Sequence, residues 1–189
     1  MRRFLAPVFR GALVLLFVFP GSAYATQVLR TSMEEMAQRS ERVIHARVVG
    51  QQVEWNAQRT RVLTLTRLEI LNTLKGKPEA SVVVYQVGGT LDGVTYKIPG
   101  AIQFHKGEEI VFFGVQFRDM IVSYGMGLGK FVVSRSGKSA MVSPHYGDVE
   151  FMTRTSDGRI VADTAPIDGA ESLKAFLSRV QKAVQGGRR

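Results

Sequence analysis

The spacing of apolar positions changes twice along the chain. Thr26–Arg39 reads as a short N-terminal helix: Ser32 is placed as an N-cap, Glu35 three residues on completes a capping box, and Met33, Met36 and Ala37 fall on one face. From Ser40 the period drops to two. Arg42–Trp55 is rich in β-branched residues, with Ile44, Ala46 and Val48 on one side and Gly50 as a bulge. Gln58–Thr60 makes a polar turn. Arg61–Leu71 is a second strand, ended by the Leu74–Pro78 stretch, and Ser81–Val87 a third, closed by Gly88 and Gly89. Val94–Ile98 alternates over a short stretch before Pro99 and Gly100 turn the chain. Glu108–Phe117 is the most apolar strand and therefore central. Ile121–Tyr124 and Lys130–Ser134 flank Gly125–Gly129, which reads as a hairpin turn.

The last third repeats the alternation and then returns to a helical period. Asp148–Arg154 and Arg159–Ala162 form a hairpin around Ser156-Asp157-Gly158, where Asp-Gly suits a tight turn. Pro166–Asp168 precedes the final helix. In Ser172–Val184 the residues Leu173, Phe176, Leu177, Val180 and Val184 follow i, i+3, i+4, i+7 spacing, with Lys174, Arg179 and Lys182 mainly off that stripe. Such a stripe covers one end or face of the β structure. Gly186 and Gly187 end the helix, and Arg188 and Arg189 form a basic tail. Short strands between turn signals, with helices only at the ends, predict a mainly β chain. Its form is a small, closed or partly closed β-barrel, with a β-sandwich as the alternative, carrying a short N-terminal helix and a C-terminal amphipathic helix. Closure removes free strand edges, and strand alternation alone fits both forms.

Before Thr26 the pattern is that of an export signal. Met1–Arg10 is basic, Gly11–Phe19 is apolar, Pro20 and Gly21 break the helix, and Ala23 and Ala25 supply small residues before a cleavage point at Thr26. The apolar run is too short for a membrane span, which needs about 20 residues. The expected organisation is a signal peptide over 1–25, a β-barrel domain over 26–135, and a C-terminal hairpin and helix over 136–189 packed on the same domain. The mature protein is expected in the periplasm or outside the cell. Removing the three leader arginines lowers the formal charge from +9 to +6. The absence of Cys excludes a disulfide scaffold, a thiolate metal site and a Cys nucleophile.

Several stretches resemble a known kind of domain. Ser40–Val48, Leu68–Gly76, Val82–Gly89, Phe104–Phe112 and Gly129–Val133 are similar to successive strands of small OB-like domains in bacterial exported proteins, and more remotely to netrin-like modules, the fold of metalloproteinase inhibitors. The resemblance covers roughly residues 30–135. It implies an OB-like fold and export. Netrin-like inhibitors chelate the target metal through an N-terminal Cys, which this chain lacks, so no inhibitory mechanism and no functional residue follows from it.

The residues offer little catalytic chemistry. His45, His105 and His145 are far apart and belong to no metal-binding spacing. His45 reads as a packed or edge side chain and His105 as a surface residue beside a turn. Gly125–Gly129 is not a phosphate cradle, because no helix start follows it. Glu108 and Glu109 follow a turn glycine, where one can accept local backbone N–H groups. The expected function is therefore non-enzymatic, with no cofactor and no metal: an exported module that binds a protein or envelope component. Its candidate interaction loops contain Gly88, Gly89, Asp92 and Tyr96 in one stretch and Tyr124, Gly127 and Lys130 in another. The alternative is an OB-fold protein associated with a polyanion or nucleic acid, through Arg59, Arg61, Lys75, Lys77, Lys138, Arg154, Arg159 and the tail. A purely structural envelope protein is the third reading.

Overall fold

The two longest alternating stretches fold back on one another, and the rest of the chain is built around that pair. The computed structural model describes residues 26–146, 149–165 and 169–187. The expected leader, Asp148 at the start of the predicted hairpin, Pro166–Asp168 and the Arg188-Arg189 tail lie outside the described residues. In chain order the elements are β1 (Thr26–Leu29), α1 (Met33–Arg39), β2 (Arg42–Trp55), β3 (Val62–Lys75), β4 (Ser81–Val87), β5 (Gly89–Leu91) and β6 (Val94–Tyr96). They continue with β7 (Glu109–Phe117), β8 (Met120–Ser123), β9 (Lys130–Ser136), β10 (Ser139–Pro144), β11 (Val149–Arg154), β12 (Ile160–Ala162), β13 (Glu171–Ser172) and α2 (Leu173–Gly186).

The chain is mainly β with one short helix toward each end, as the pattern predicts, and five strands form a ring. β7, β2, β3 and β4 pair antiparallel in that order. β8 closes the ring, antiparallel to β7 and parallel to β4 through Val84 opposite Ile121. Every ring strand sends apolar side chains inward: Ile44, Ala46 and Val48 from β2, Leu68 from β3, Val82 and Val84 from β4, Ile110 and Phe112 from β7, and Ile121 from β8. Ile102 and Phe104, from the irregular stretch before β7, join this cluster. β7 lies between β2 on one side and β8 and β9 on the other, which agrees with its apolar composition. The bulge at Gly50 is present as a register shift between Val48 and Gly50.

A second core lies on the outer face of the sheet. Val43, Val111, Phe113, Phe131, Val133 and Val142 point away from the ring interior and are covered by α1 and α2. The Ser172 hydroxyl accepts from Ala175 N–H at 3.2 Å and starts α2, whose Leu173, Phe176, Val180 and Val184 are buried. α2 thus covers a face of the sheet. Lys75 Nζ donates to the carbonyls of Ala37 and Gln38 at 3.0 and 2.6 Å, satisfying the C-terminal end of α1. Only half of the ring is covered in this way. β3 meets the helices only at its C-terminal end, where Leu74 packs against this core; the outward residues Leu63, Tyr85, Val87, Met120 and Val122 lie away from it.

Three local expectations are corrected. The N-terminal helix does not begin at Thr26: Thr26–Leu29 is a strand parallel to β11, and the helix starts at Met33, where Ser32 Oγ accepts from Glu35 N–H at 3.1 Å. The cap fixes the start, and the residues before it gain a strand partner that is remote in sequence. Second, Val94–Ile98 is strand only as far as Tyr96. Third, Gly125–Gly129 is not a hairpin turn, because β8 and β9 do not pair with each other. Both run along the same edge of β7, with Tyr124 N–H donating to Phe113 O at 3.0 Å and Phe113 N–H to Gly129 O at 2.8 Å. Gly125–Leu128 is therefore a loop thrown out of one interrupted strand. A Cβ at Gly129 would lie 2.4 Å from Phe113 O, so only glycine permits this return to the ladder.

Candidate functional site

At one mouth of the ring the inward positions change from apolar to polar. Thr64 and Thr66 share the inward face of β3 with Leu68, Gln86 lies opposite Thr64, and Gln51 lies opposite Thr66. Gln51 Nε2 donates to Thr66 Oγ1 at 3.0 Å, Thr64 Oγ1 donates to Gly88 O at 2.7 Å, and Gln86 Nε2 donates to Ile102 O. Gln51, Thr64 and Gln86 line an open pocket of about 330 Å3, whose wall is completed by Gly88, Gly89, Thr90, Thr95 and Tyr96. The hairpin of β5 and β6 forms that wall. Its turn places Asp92 at φ 53° and Gly93 at φ 75°, the left-handed pair of a tight hairpin. Gly88, at φ +102°, lets the hairpin fold back: a Cβ there would lie 2.5 Å from Tyr96 O.

Around the rim, on the uncovered half of the ring, runs a groove of about 770 Å3. Leu63, Tyr85, Val87, Met120 and Val122 line it as outward residues of β3, β4 and β8, with Trp55 and Phe117 at its ends. Phe117 is 54% exposed and Val87 43%. The Arg118 guanidinium lies 5.5 Å from the centre of the Phe117 ring, and Arg61 also lines the groove. Gln86 and Val87 border both pocket and groove. The Trp55 and Tyr96 rings meet edge-on at 5.8 Å between them.

Two buried ionic clusters lie in the same sheet, and the second reaches the pocket wall through Gln103. Glu109 Oε1 and Oε2 accept from Arg135 Nη2 and Nε at 2.6 and 2.8 Å, and His45 Nε2 lies 2.7 Å from Oε1. Hydrogen bonds from Arg135 outweigh the opposing effect of burial, His45 adds to them, and the Glu109 carboxyl is held down at about 2. Lys130, with no exposed side chain, bonds Glu108 Oε1 at 2.7 Å and Gln103 O at 2.5 Å. Burial pushes its ammonium down in pKa, and the Glu108 hydrogen bond opposes that. Glu108 Oε2 also accepts from His105 N–H at 3.2 Å, the local backbone bond the turn predicts. Among the described residues no group of three or more His, Asp or Glu is placed to hold a metal ion.

Of the seven candidate interaction residues, Gly88, Gly89 and Tyr96 meet at the pocket, and Asp92 forms the exposed tip of its hairpin. The other three lie elsewhere. Tyr124 is half-buried against the helix-covered core. Gly127 is buried, with its Cβ position 2.7 Å from Gly100 O. Lys130 cannot present its ammonium to a partner, because the interior ion pair consumes it. Sequence reasoning missed Gln51, Thr64, Gln86 and Phe117. The first three are polar residues at inward positions: Thr64 and Gln86 follow simple alternation from Leu68 and Val84, whereas the face of Gln51 is set by the Gly50 bulge. No family model matches the chain, and no curated protein or solved structure matches it either.

Proposed function

We propose that this protein is an exported, non-enzymatic interaction module that holds a protein partner, or a protein component of the cell envelope, in the groove beside the ring mouth. The observation that carries the reading is the composition of that groove. Trp55, Tyr85, Phe117, Met120, Arg61 and Arg118 share one open concave surface, and aromatic residues, Met and Arg are the types enriched where proteins bind proteins. The ring supplies a rigid base, since its strands are fixed by hydrogen bonds on both edges over much of their length. Export rests on the three-part leader pattern.

The test is capture from the native envelope and medium at low and high salt, with wild-type protein and Phe117→Ala side by side. A specific module retains one protein at high salt, and Phe117→Ala weakens that binding by about 30-fold, the effect of losing an aromatic anchor contact of about 2 kcal/mol. Phe117 is exposed, so its loss leaves the fold intact. Capture that disappears with salt and is indifferent to Phe117 supports the polyanion reading instead, whose affinity falls steeply with ionic strength. The export half has its own check. Intact mass of the protein recovered from its native compartment should correspond to a chain beginning at Thr26, and an uncleaved chain starting at Met1 in the cytoplasm overturns it.

A further inference from the structure

We propose that the ring mouth is a second site, adjoining the groove, and that its ligand is a neutral saccharide. The pocket differs from the groove in chemistry. The centre of the ring interior is packed with aliphatic and aromatic side chains. At this mouth Gln51, Thr64, Thr66 and Gln86 take the inward positions of three neighbouring strands. Polar groups placed inward lower stability compared with apolar packing, and departures of this kind concentrate where a fold performs its task.

The bonding capacity that remains selects the ligand. Thr64 and Thr66 are engaged inside the ring, and Gln51 and Gln86 each spend one N–H on the protein. Among the described residues no donor reaches Gln51 Oε1 or Gln86 Oε1. Each amide therefore offers the pocket a carbonyl acceptor and its second N–H. A hydroxyl both donates and accepts and so satisfies such a pair. An anion only accepts, and would face the amide oxygens unpaired. Thr90 and Thr95 add two hydroxyls on the wall, 3.0 Å apart. The exposed Tyr96 ring, braced edge-on by Trp55, offers an aromatic surface to the C–H face of a sugar ring. Lys97 is the single lysine on the wall. A pocket of about 330 Å3 is at the small end of ligand sites, which run from about 300 Å3 upward, and suits a ligand of sugar-ring size.

The experiment is a backbone and side-chain amide NMR titration of the folded protein with three probes: maltotriose, triacetylchitotriose and a sulfated dextran oligosaccharide. The expected result is saturable shifts at Gly88, Gly89, Thr95, Tyr96 and the Gln86 side-chain amide with at least one neutral probe. Tyr96→Ala and Thr95→Val each weaken that binding by at least about tenfold, the loss of one well-placed hydrogen bond or stacking contact, while Phe117→Ala leaves it unchanged. Two variants are used because either alone could disturb the hairpin, and unchanged signals from the ring core report the fold. No saturable shift with either neutral probe, shifts only with the sulfated probe, or binding that survives both variants overturns the proposal. Because Phe117→Ala tests the groove separately, failure here leaves the protein-binding reading standing, and the reverse holds too.

Discussion

Phe112→Ala is expected to lower the unfolding free energy by about 3–5 kcal/mol, the largest effect of any single truncation considered for this molecule. Phe112 is completely buried at the centre of the ring and packs its ring 6.0 Å from that of Phe104. The void it leaves cannot collapse easily, because the strands around it are tied into a ring. The site is tight as well as enclosed: a Cβ at neighbouring Gly114 would lie 2.7 Å from Phe112 Cε1. For a chain of this size each kcal/mol corresponds to about 2–4 °C, so the melting temperature should fall by about 6–20 °C. Thermal and urea unfolding of Phe112→Ala beside Phe117→Ala provide the check. The exposed Phe117 should change stability by less than about 0.5 kcal/mol. Equal effects at the two positions would show that the ring interior is not the closed core described here.

The second large effect is acid sensitivity centred on Glu109. Its carboxylate accepts two hydrogen bonds from Arg135 and lies 2.7 Å from His45 Nε2, with Arg47 Nη2 3.7 Å away. These partners hold its pKa at about 2, against 4.5 for the free group. A folded-state pKa below the unfolded value means that stability is fully present above about pH 4.5 and is lost as pH falls through about 2. The gap corresponds to about 2–3 kcal/mol at neutral pH once the half-exposed guanidinium of Arg135 is discounted for solvent screening. Glu109→Gln keeps the shape and removes the charge. It should lose about that amount at pH 7 and differ little from wild type near pH 2. Urea midpoints across pH 2–7 measure both chains. Identical pH slopes would place the acid sensitivity in other carboxylates.

How much of this was legible beforehand varies with the distance over which each feature is decided. Ser32 with Glu35, the heptad-like stripe of α2, the Gly50 bulge and the apolar character of β7 are local patterns, and each is present at its predicted place. The sequence predicts helix at β1 because its partner β11 lies more than a hundred residues away. The glycines around Gly125 predict a turn because local sequence does not encode that the strands on either side share β7 rather than each other. The same limit hid the fate of Lys130. A lysine beside a glycine-rich loop reads as surface, and only the approach of Glu108 and Gln103 O turns it into a buried ion pair.

By itself, the order of apolar and polar residues determined a mainly β chain with a helix toward each end, because periodicity and capping act within a few residues. Tertiary structure alone decided the closure of five strands into a ring, the covering of one half by helices, and the meeting of Gln51, Thr64 and Gln86 at a mouth. These depend on pairing register and on which face each strand turns inward. A single bulge reverses that face, and no neighbour in sequence records the change.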